Sequence, residues 1–132
     1  MESKDVLVDT TIIIDHLRKK NKSSTIFFKL VSDNYNLHIS VITLFELLSG
    51  AVDEQKEKDI KITLSFVKIL DFDTPSAIKA SEVYIHLKKM NKLVDIRDLF
   101  IAVSAIIHNL PISTLNCKHF QRIPDLKIFK SF

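Results

Sequence analysis

The feature that most constrains this chain is a run that is apolar on almost every side and opened by two carboxylates: Asp95-Ile96-Arg97-Asp98-Leu99-Phe100-Ile101-Ala102-Val103-Ser104-Ala105-Ile106-Ile107-His108. It predicts a helix of about three to four turns that is buried on most of its circumference, with Ala102, Ser104 and Ala105 permitting close approach of neighbours. With Asp95 as N-cap, Asp98 falls at the third helical position, where its side chain turns toward the mouth of the helix. A carboxylate is thereby pinned at the edge of a buried element. Asp9 and Glu46 have comparable settings, and Asn116 ends a predicted strand.

The chain opens on Val6-Leu7-Val8-Asp9, a short apolar run ending in an acid, which reads as a central parallel strand buried on both faces. In open α/β sheets ligands gather beyond the carboxyl ends of strands, and Asp9 would stand there unless it serves only as a helix cap. Thr10 or Thr11 then caps a helix with Ile12, Ile13, Ile14 and Leu17 on its buried side. A second helix is expected from Ser23 to Val31, capped by Ser23 or Ser24. Leu37 to Val41 reads as a second strand, and Thr43-Leu44-Phe45-Glu46 matches a capping box opening another helix, which would account for Glu46 without any function.

Asp53 to Lys61 forms a solvated helical surface, and Phe66 to Leu70 a third strand. Thr74 and Pro75 announce a helix as N-cap and first helical residue, with Ala77, Ala80, Tyr84 and Leu87 as its core stripe. After the buried helix, Asn109-Leu110-Pro111 breaks the chain and Ile112 to Asn116 reads as a fourth strand. Cys117 to Phe120 is one helical turn, and Leu126 to Phe129 alternates like an edge strand. Strands alternating with helices predict a three-layer α/β/α domain with a largely parallel central sheet of four to five strands.

At 132 residues the chain is long enough for one substantial core, so a single domain over residues 1–132 is expected. No apolar run is long enough to cross a bilayer, and Met1 to Asp5 lacks the basic start of a signal peptide; a cytoplasmic protein is expected. The lone cysteine, Cys117, excludes an internal disulfide and a cysteine cage for zinc within one chain. His16, His38, His86, His108 and His119 fall at no metal-ligand spacing and are expected to be structural or solvent-facing. Gly50 is the only glycine, which excludes phosphate-cradling loops of the P-loop or dinucleotide type. The net charge of +3 is mild, yet 19 Lys and Arg supply phosphate-binding capacity, clustered at Arg18 to Lys22 and Lys88 to Lys92. Either run also reads as a solvated helix end favoured by the helix dipole.

Val8-Asp9-Thr10-Thr11, then Ser40 to Gly50 with Thr43, Glu46 and Gly50, then Asp98-Leu99-Phe100-Ile101-Ala102, then Thr114-Leu115-Asn116 ahead of Phe120, resemble the successive motifs of the PIN domain, and in particular the VapC toxins of VapBC toxin–antitoxin pairs. The match is in order over the whole chain. The resemblance implies a PIN-like fold and a Mg²⁺- or Mn²⁺-dependent endoribonuclease, acting as a toxin on structured RNA such as tRNA. It assigns Asp9, Glu46 and Asp98 as catalytic, metal-binding acids. Asn116 holds the fourth catalytic position, where many relatives carry Asp, which leaves one or two metal ions open. Thr10 or Thr11 would offer a hydroxyl to the metal shell, and Asp95 would either cap its helix or add charge nearby. The implied partners are a VapB-like antitoxin and a second copy of the chain, on apolar surface expected at Ile12, Ile13, Phe27, Phe28 and Leu30.

The residue types suit that chemistry independently of the family. Mg²⁺ and Mn²⁺ are hard cations that take oxygen ligands, need one or two direct carboxylates and keep several waters. Packed acids without a cation repel one another and raise at least one pKa. Two other classes fit less well. A Mg²⁺-dependent phosphatase or receiver-like α/β domain shares the acid after the first strand, but the phosphatase pattern wants a further Asp where Thr11 stands. A non-catalytic binding module would use the acids only as caps.

Overall fold

A computed structural model describes residues 3–130. Met1 and Glu2, part of the segment read for a signal peptide, and Ser131 and Phe132, the end of the expected domain, lie outside the described residues. The elements are β1 (Asp5–Val8), α1 (Thr10–Arg18), a 3₁₀ turn (Lys22–Ser24), α2 (Ile26–Ser32), β2 (Asn36–Ser40), α3 (Val41–Ser49), α4 (Glu54–Leu64), β3 (Val67–Leu70), α5 (Thr74–Lys89), α6 (Ile96–Ile107), β4 (Ile112–Ser113) and α7 (Cys117–Phe120). The four strands form one parallel sheet in the order β3-β2-β1-β4. Among the described residues no helix is long and apolar enough to cross a membrane.

Alternation along β1 sorts its side chains to two cores. Leu7 packs with Ala80, Val83 and Leu87 of α5 and with Leu99 to Ala105 of α6. Val6 and Val8 pack on the opposite face with Ile12 and Ile13 of α1, Phe27 and Leu30 of α2, Leu47 of α3 and Ile60 of α4. The sheet is thus covered on both sides, which is why β1 carries an unbroken apolar run. The chain runs outward from β1 to β2 and β3 and then returns to add β4 on the other side of β1. A crevice opens at such a reversal, beyond the carboxyl ends of β1 and β4.

The single glycine is matched by asparagines at helix ends. Asn34, Asn91 and Asn109 have φ of 63°, 55° and 53°, each just past the C-cap of α2, α5 or α6. After α6, Leu110 N–H donates to the Ala105 carbonyl at 2.8 Å and Asn109 N–H to Ile106 at 3.1 Å, the paired bonds of a Schellman stop. Asn tolerates the left-handed conformation, so the chain ends three helices without glycine.

Several boundaries differ from the sequence reading by a residue or more, and at the starts of α2 and α5 this is because a neighbouring side chain is the better cap. Thr25 caps α2, accepting from Phe28 N–H at 3.1 Å, while Ser23 and Ser24 lie in the 3₁₀ turn before it. Asp73 caps α5, displacing Thr74 and Pro75 one position into the helix. That helix buries Ser76, Ala80, Val83 and Leu87, leaving Ala77 and Tyr84 exposed. β4 spans only Ile112–Ser113, and the expected edge strand contributes one parallel bridge, Ile112 to Ile128. Of the residues assigned to an apolar interface, Ile12, Ile13, Phe27 and Leu30 belong to the core and only Phe28 is exposed.

The rotated stripe of α5 can be tested. Val83→Ala should cost about 2 kcal/mol by removing buried methyl groups from a packed site. Tyr84→Ala should stay within about 0.5 kcal/mol, as surface changes do. Urea unfolding of both variants measures this, and a larger loss at Tyr84 would contradict the register.

Candidate functional site

At the crevice between β1 and β4 the first acid is almost completely enclosed: Asp9 is 2% exposed. Its backbone occupies the N-cap position of α1, yet its side chain makes no capping bond to the helix. The carboxylate is held by two hydroxyls instead. Thr114 Oγ1 donates to Oδ2 at 2.7 Å, and Thr11 Oγ1 donates to Oδ1. Each hydroxyl accepts a backbone N–H from the turn after β4: Asn116 N–H to Thr114 at 2.9 Å and Leu115 N–H to Thr11 at 3.1 Å. Amide, hydroxyl and carboxylate thus form two polarised chains that converge on Asp9 and tie the ends of β1 and β4 together.

Glu46 projects from the second turn of α3. Ser40, the last residue of β2, caps that helix by accepting Ile42 N–H at 3.1 Å. Thr43 is therefore inside the helix and fully buried, so the capping box expected at Thr43 and Glu46 does not form. The Thr10 hydroxyl lies 2.8 Å from Glu46 Oε1 and 3.0 Å from Thr43 Oγ1. Having one proton, it donates to the carboxylate and accepts from Thr43. Thr10 and Thr11, adjacent in sequence, orient two different acids.

Asp95 caps α6 as expected, accepting Arg97 N–H at 2.9 Å, and Asp98 sits at the third helical position. Asp98 Oδ2 lies 3.7 Å from His119 Nδ1, and that ring nitrogen is 2.8 Å from Asn116 Nδ2. Asn116 is the residue before α7, and His119 is one helical turn further on. Arg97 stands between Asp95 and Glu46, with Nε 3.2 Å from Asp95 Oδ1 and Nη1 3.7 Å from Glu46 Oε2.

The electrostatics follow from burial and crowding. Loss of water is the main cause pushing the Asp9 carboxyl above its ordinary range; the Thr11 and Thr114 hydroxyls and the nearby Ile12 N–H oppose this, and the charge of Asp98 adds to it. Asp98 is also raised, by burial first, then by Asp95 and Glu46, with His119 opposing. Asp95 is held below its ordinary value by the Arg97 guanidinium. Asp98 thus adds to the shift at Asp9, and Asp95 and Glu46 add to the shift at Asp98. Among the described residues no three His, Cys, Asp or Glu side chains close into a ready-made metal cage. The donor set is all oxygen and open, which suits a hydrated hard cation holding one or two carboxylates.

Two cavities flank this acid group. One of about 210 Å³ is lined by Ile14, Leu17, Arg18, Glu46, Leu47 and Lys56, among others. The other, of about 430 Å³, runs past Thr11, Asp15, Arg18 and Asn116. Of the basic runs, Arg18 therefore reaches the site. Lys22 instead caps α1, donating to the carbonyls of His16, Leu17 and Lys19 at 2.7 to 3.1 Å. The structure brings Asp9, Glu46, Asp98 and Asn116 to one edge of the sheet, while sequence reasoning gave no site role to Arg97 or His119 and did not show that Thr43 and Thr114 help to orient the acids. The spacing of three residues from Asn116 to His119 was the available signal for His119.

Comparison with known proteins identifies the family of the fold. The PIN domain family model matches residues 6–126. The chain is 34% identical over 130 residues to ribonuclease VapC1 of Methanocaldococcus jannaschii, covering 97% of this chain and 89% of that one. It is 31% identical to the tRNA(fMet)-specific endonuclease VapC of Salmonella typhimurium, over 83% of this chain and 86% of that one. Among solved structures, the crystal structure of VapBC2 from Rickettsia felis, bound to a DNA fragment from its promoter, superposes with a TM-score of 0.84 at 29% identity, covering 95% of this chain and 97% of its counterpart. With the family model matching residues 6–126 and the fold shared with VapBC structures, the chain belongs to the PIN domain family, and VapC ribonucleases are among its relatives there.

Proposed function

We propose that this chain is a Mg²⁺- or Mn²⁺-dependent endoribonuclease, the toxin of a toxin–antitoxin pair, with structured RNA such as tRNA as its target. The observation that carries the proposal is Asp9: a carboxylate buried without a cationic partner among the described residues, raised in pKa, and sharing its field with Asp98. Such a group is costly to a fold that uses it only for structure. The absence of a capping bond from Asp9 and the inward position of Thr43 weaken a non-catalytic reading in which these acids serve only as caps.

In this reading Asp9, Asp98 and Glu46 would hold the cation, which when bound supplies Lewis-acid charge beside the scissile phosphate. Thr11 and Thr114 keep the Asp9 carboxylate aimed, and Thr10 does the same for Glu46. Asn116, beside His119, offers a neutral amide where a fourth acid would add charge, which favours a site with few direct protein ligands. Arg18 and Lys56 line the cavity beside Glu46 and would meet the phosphates of an RNA strand. The Salmonella relative's tRNA specificity supports tRNA as the substrate class.

The partners we propose are a VapB-like antitoxin and a second copy of this chain, in the cytoplasm. The VapBC complexes among the structural neighbours support the antitoxin. Exposed Phe45, Leu48, Val52 and Ile62 around α3 and α4, and Ile78 and Ile85 on α5, supply apolar surface for such contacts.

Incubation with total RNA tests the activity. With Mn²⁺ the protein should cut a structured RNA at one or a few sites, and chelation should stop it; uniform degradation would defeat the selectivity. Asp9→Asn should abolish cleavage and relieve the cost of a buried charge, a gain on the order of 1 kcal/mol that is offset in part because the amide nitrogen replaces one of the two oxygens accepting from Thr11 and Thr114. The gain has a defined pH dependence. A carboxyl raised in the folded state keeps its proton after the unfolded chain has lost it, so wild-type stability falls as pH rises from the ordinary Asp pKa through the raised one. The stability difference should therefore shift in favour of Asp9→Asn as pH rises through that window. Thermal unfolding across pH checks this, and a difference independent of pH would contradict it.

A further inference from the structure

We infer that Arg97 and Asp95 form a phosphate clamp at the mouth of the acid site, in which Arg97 binds an RNA phosphate beside the scissile one and Asp95 fixes its orientation. This rests on the ribonuclease reading and adds a substrate-contacting residue to it. Asp95 makes two uses of one carboxylate. Oδ1 accepts Arg97 N–H at 2.9 Å, capping α6, and the same carboxylate takes the guanidinium edge through Nε at 3.2 Å and Nη2 at 3.5 Å. An exposed arginine ordinarily samples many rotamers. Here its own helix cap grips it.

The grip covers one edge of the fork and leaves the other. Nη1 makes no hydrogen bond among the described residues, and its approach to Glu46 Oε2 at 3.7 Å is well beyond the length of a charge-assisted hydrogen bond. Glu46 is meanwhile satisfied at Oε1 by Thr10, so it can release the guanidinium at little cost. The Arg97 side chain is 57% exposed. It therefore presents a planar, oriented pair of donors to solvent next to Glu46, one residue before Asp98. That geometry matches two oxygens of a phosphate, which a point-charge ammonium would not reproduce.

The test uses the full chain with bulk transfer RNA, read as single-turnover cleavage with Mn²⁺ and as RNA binding in an Asp9→Asn background. Arg97→Gln should raise KM roughly tenfold, the loss expected for one charged hydrogen bond. It should also make the dependence of log affinity on log salt shallower by roughly 0.7 to 1. Arg97→Lys should restore the salt slope and only part of the KM. Asp95→Asn keeps a good cap, so its melting temperature should match wild type while its KM rises by less than that of Arg97→Gln. If Arg97 only steadies Glu46, Arg97→Gln would lower kcat and shift Mn²⁺ half-saturation, measured without RNA, while KM and salt slope stay fixed; that result overturns the clamp and leaves the nuclease standing. A wild-type protein that neither binds nor cuts RNA overturns both.

Discussion

Everything at this site depends on the burial of one carboxylate. Asp9 follows directly on a strand whose three preceding residues are fully enclosed, so the sheet carries it into a place that water does not reach. A carboxylate there must be hydrogen-bonded or neutralised. Thr11 and Thr114 meet that requirement from two segments distant in sequence, and the turn after β4 is positioned by the same bonds. The need to satisfy Asp9 thus also fixes where Asn116 and His119 stand.

The other acids are placed by helix starts. Ser40 begins α3 directly at the end of β2, which sets Glu46 on the second turn, and Asp95 begins α6, which sets Asp98 on the first. Strand ends and helix starts meet at one edge because the sheet is parallel, and the reversal of strand order beside β1 opens room there. Like charges gathered this way help to raise the Asp9 and Asp98 carboxyls above their ordinary range. Among the described residues, the groups that ion-pair with these acids are Arg97, with Asp95 and Glu46, and His119 beside Asp98 when protonated.

Much of this was legible in the sequence, for physical reasons that differ by element. The β1 run and the α6 stretch are unambiguous because burial on nearly all sides leaves a pattern that admits few alternatives, and the layered parallel sheet follows from them. Glu46 could not be separated from a capping box, since Thr43 and Glu46 have the right spacing and only the backbone reveals that Ser40 starts the helix. The stripe of α5 was misjudged because Ile78, Tyr84 and Ile85 are as apolar as the residues it buries. Contacts such as Thr114 to Asp9, separated by 105 residues, leave no local signal.

The most direct measurement is the titration of the Asp9 and Asp98 carboxyl carbons by NMR, with and without Mg²⁺. In the metal-free protein both should titrate above the ordinary range for aspartate, with Asp9 responding to the charge of Asp98. Saturating Mg²⁺ should drive both well below it, because a cation held by these carboxylates would favour their ionised forms. An Asp9 that titrates at or below the ordinary value without metal, and does not move when Mg²⁺ is added, would contradict a metal site built on a strained, buried carboxylate.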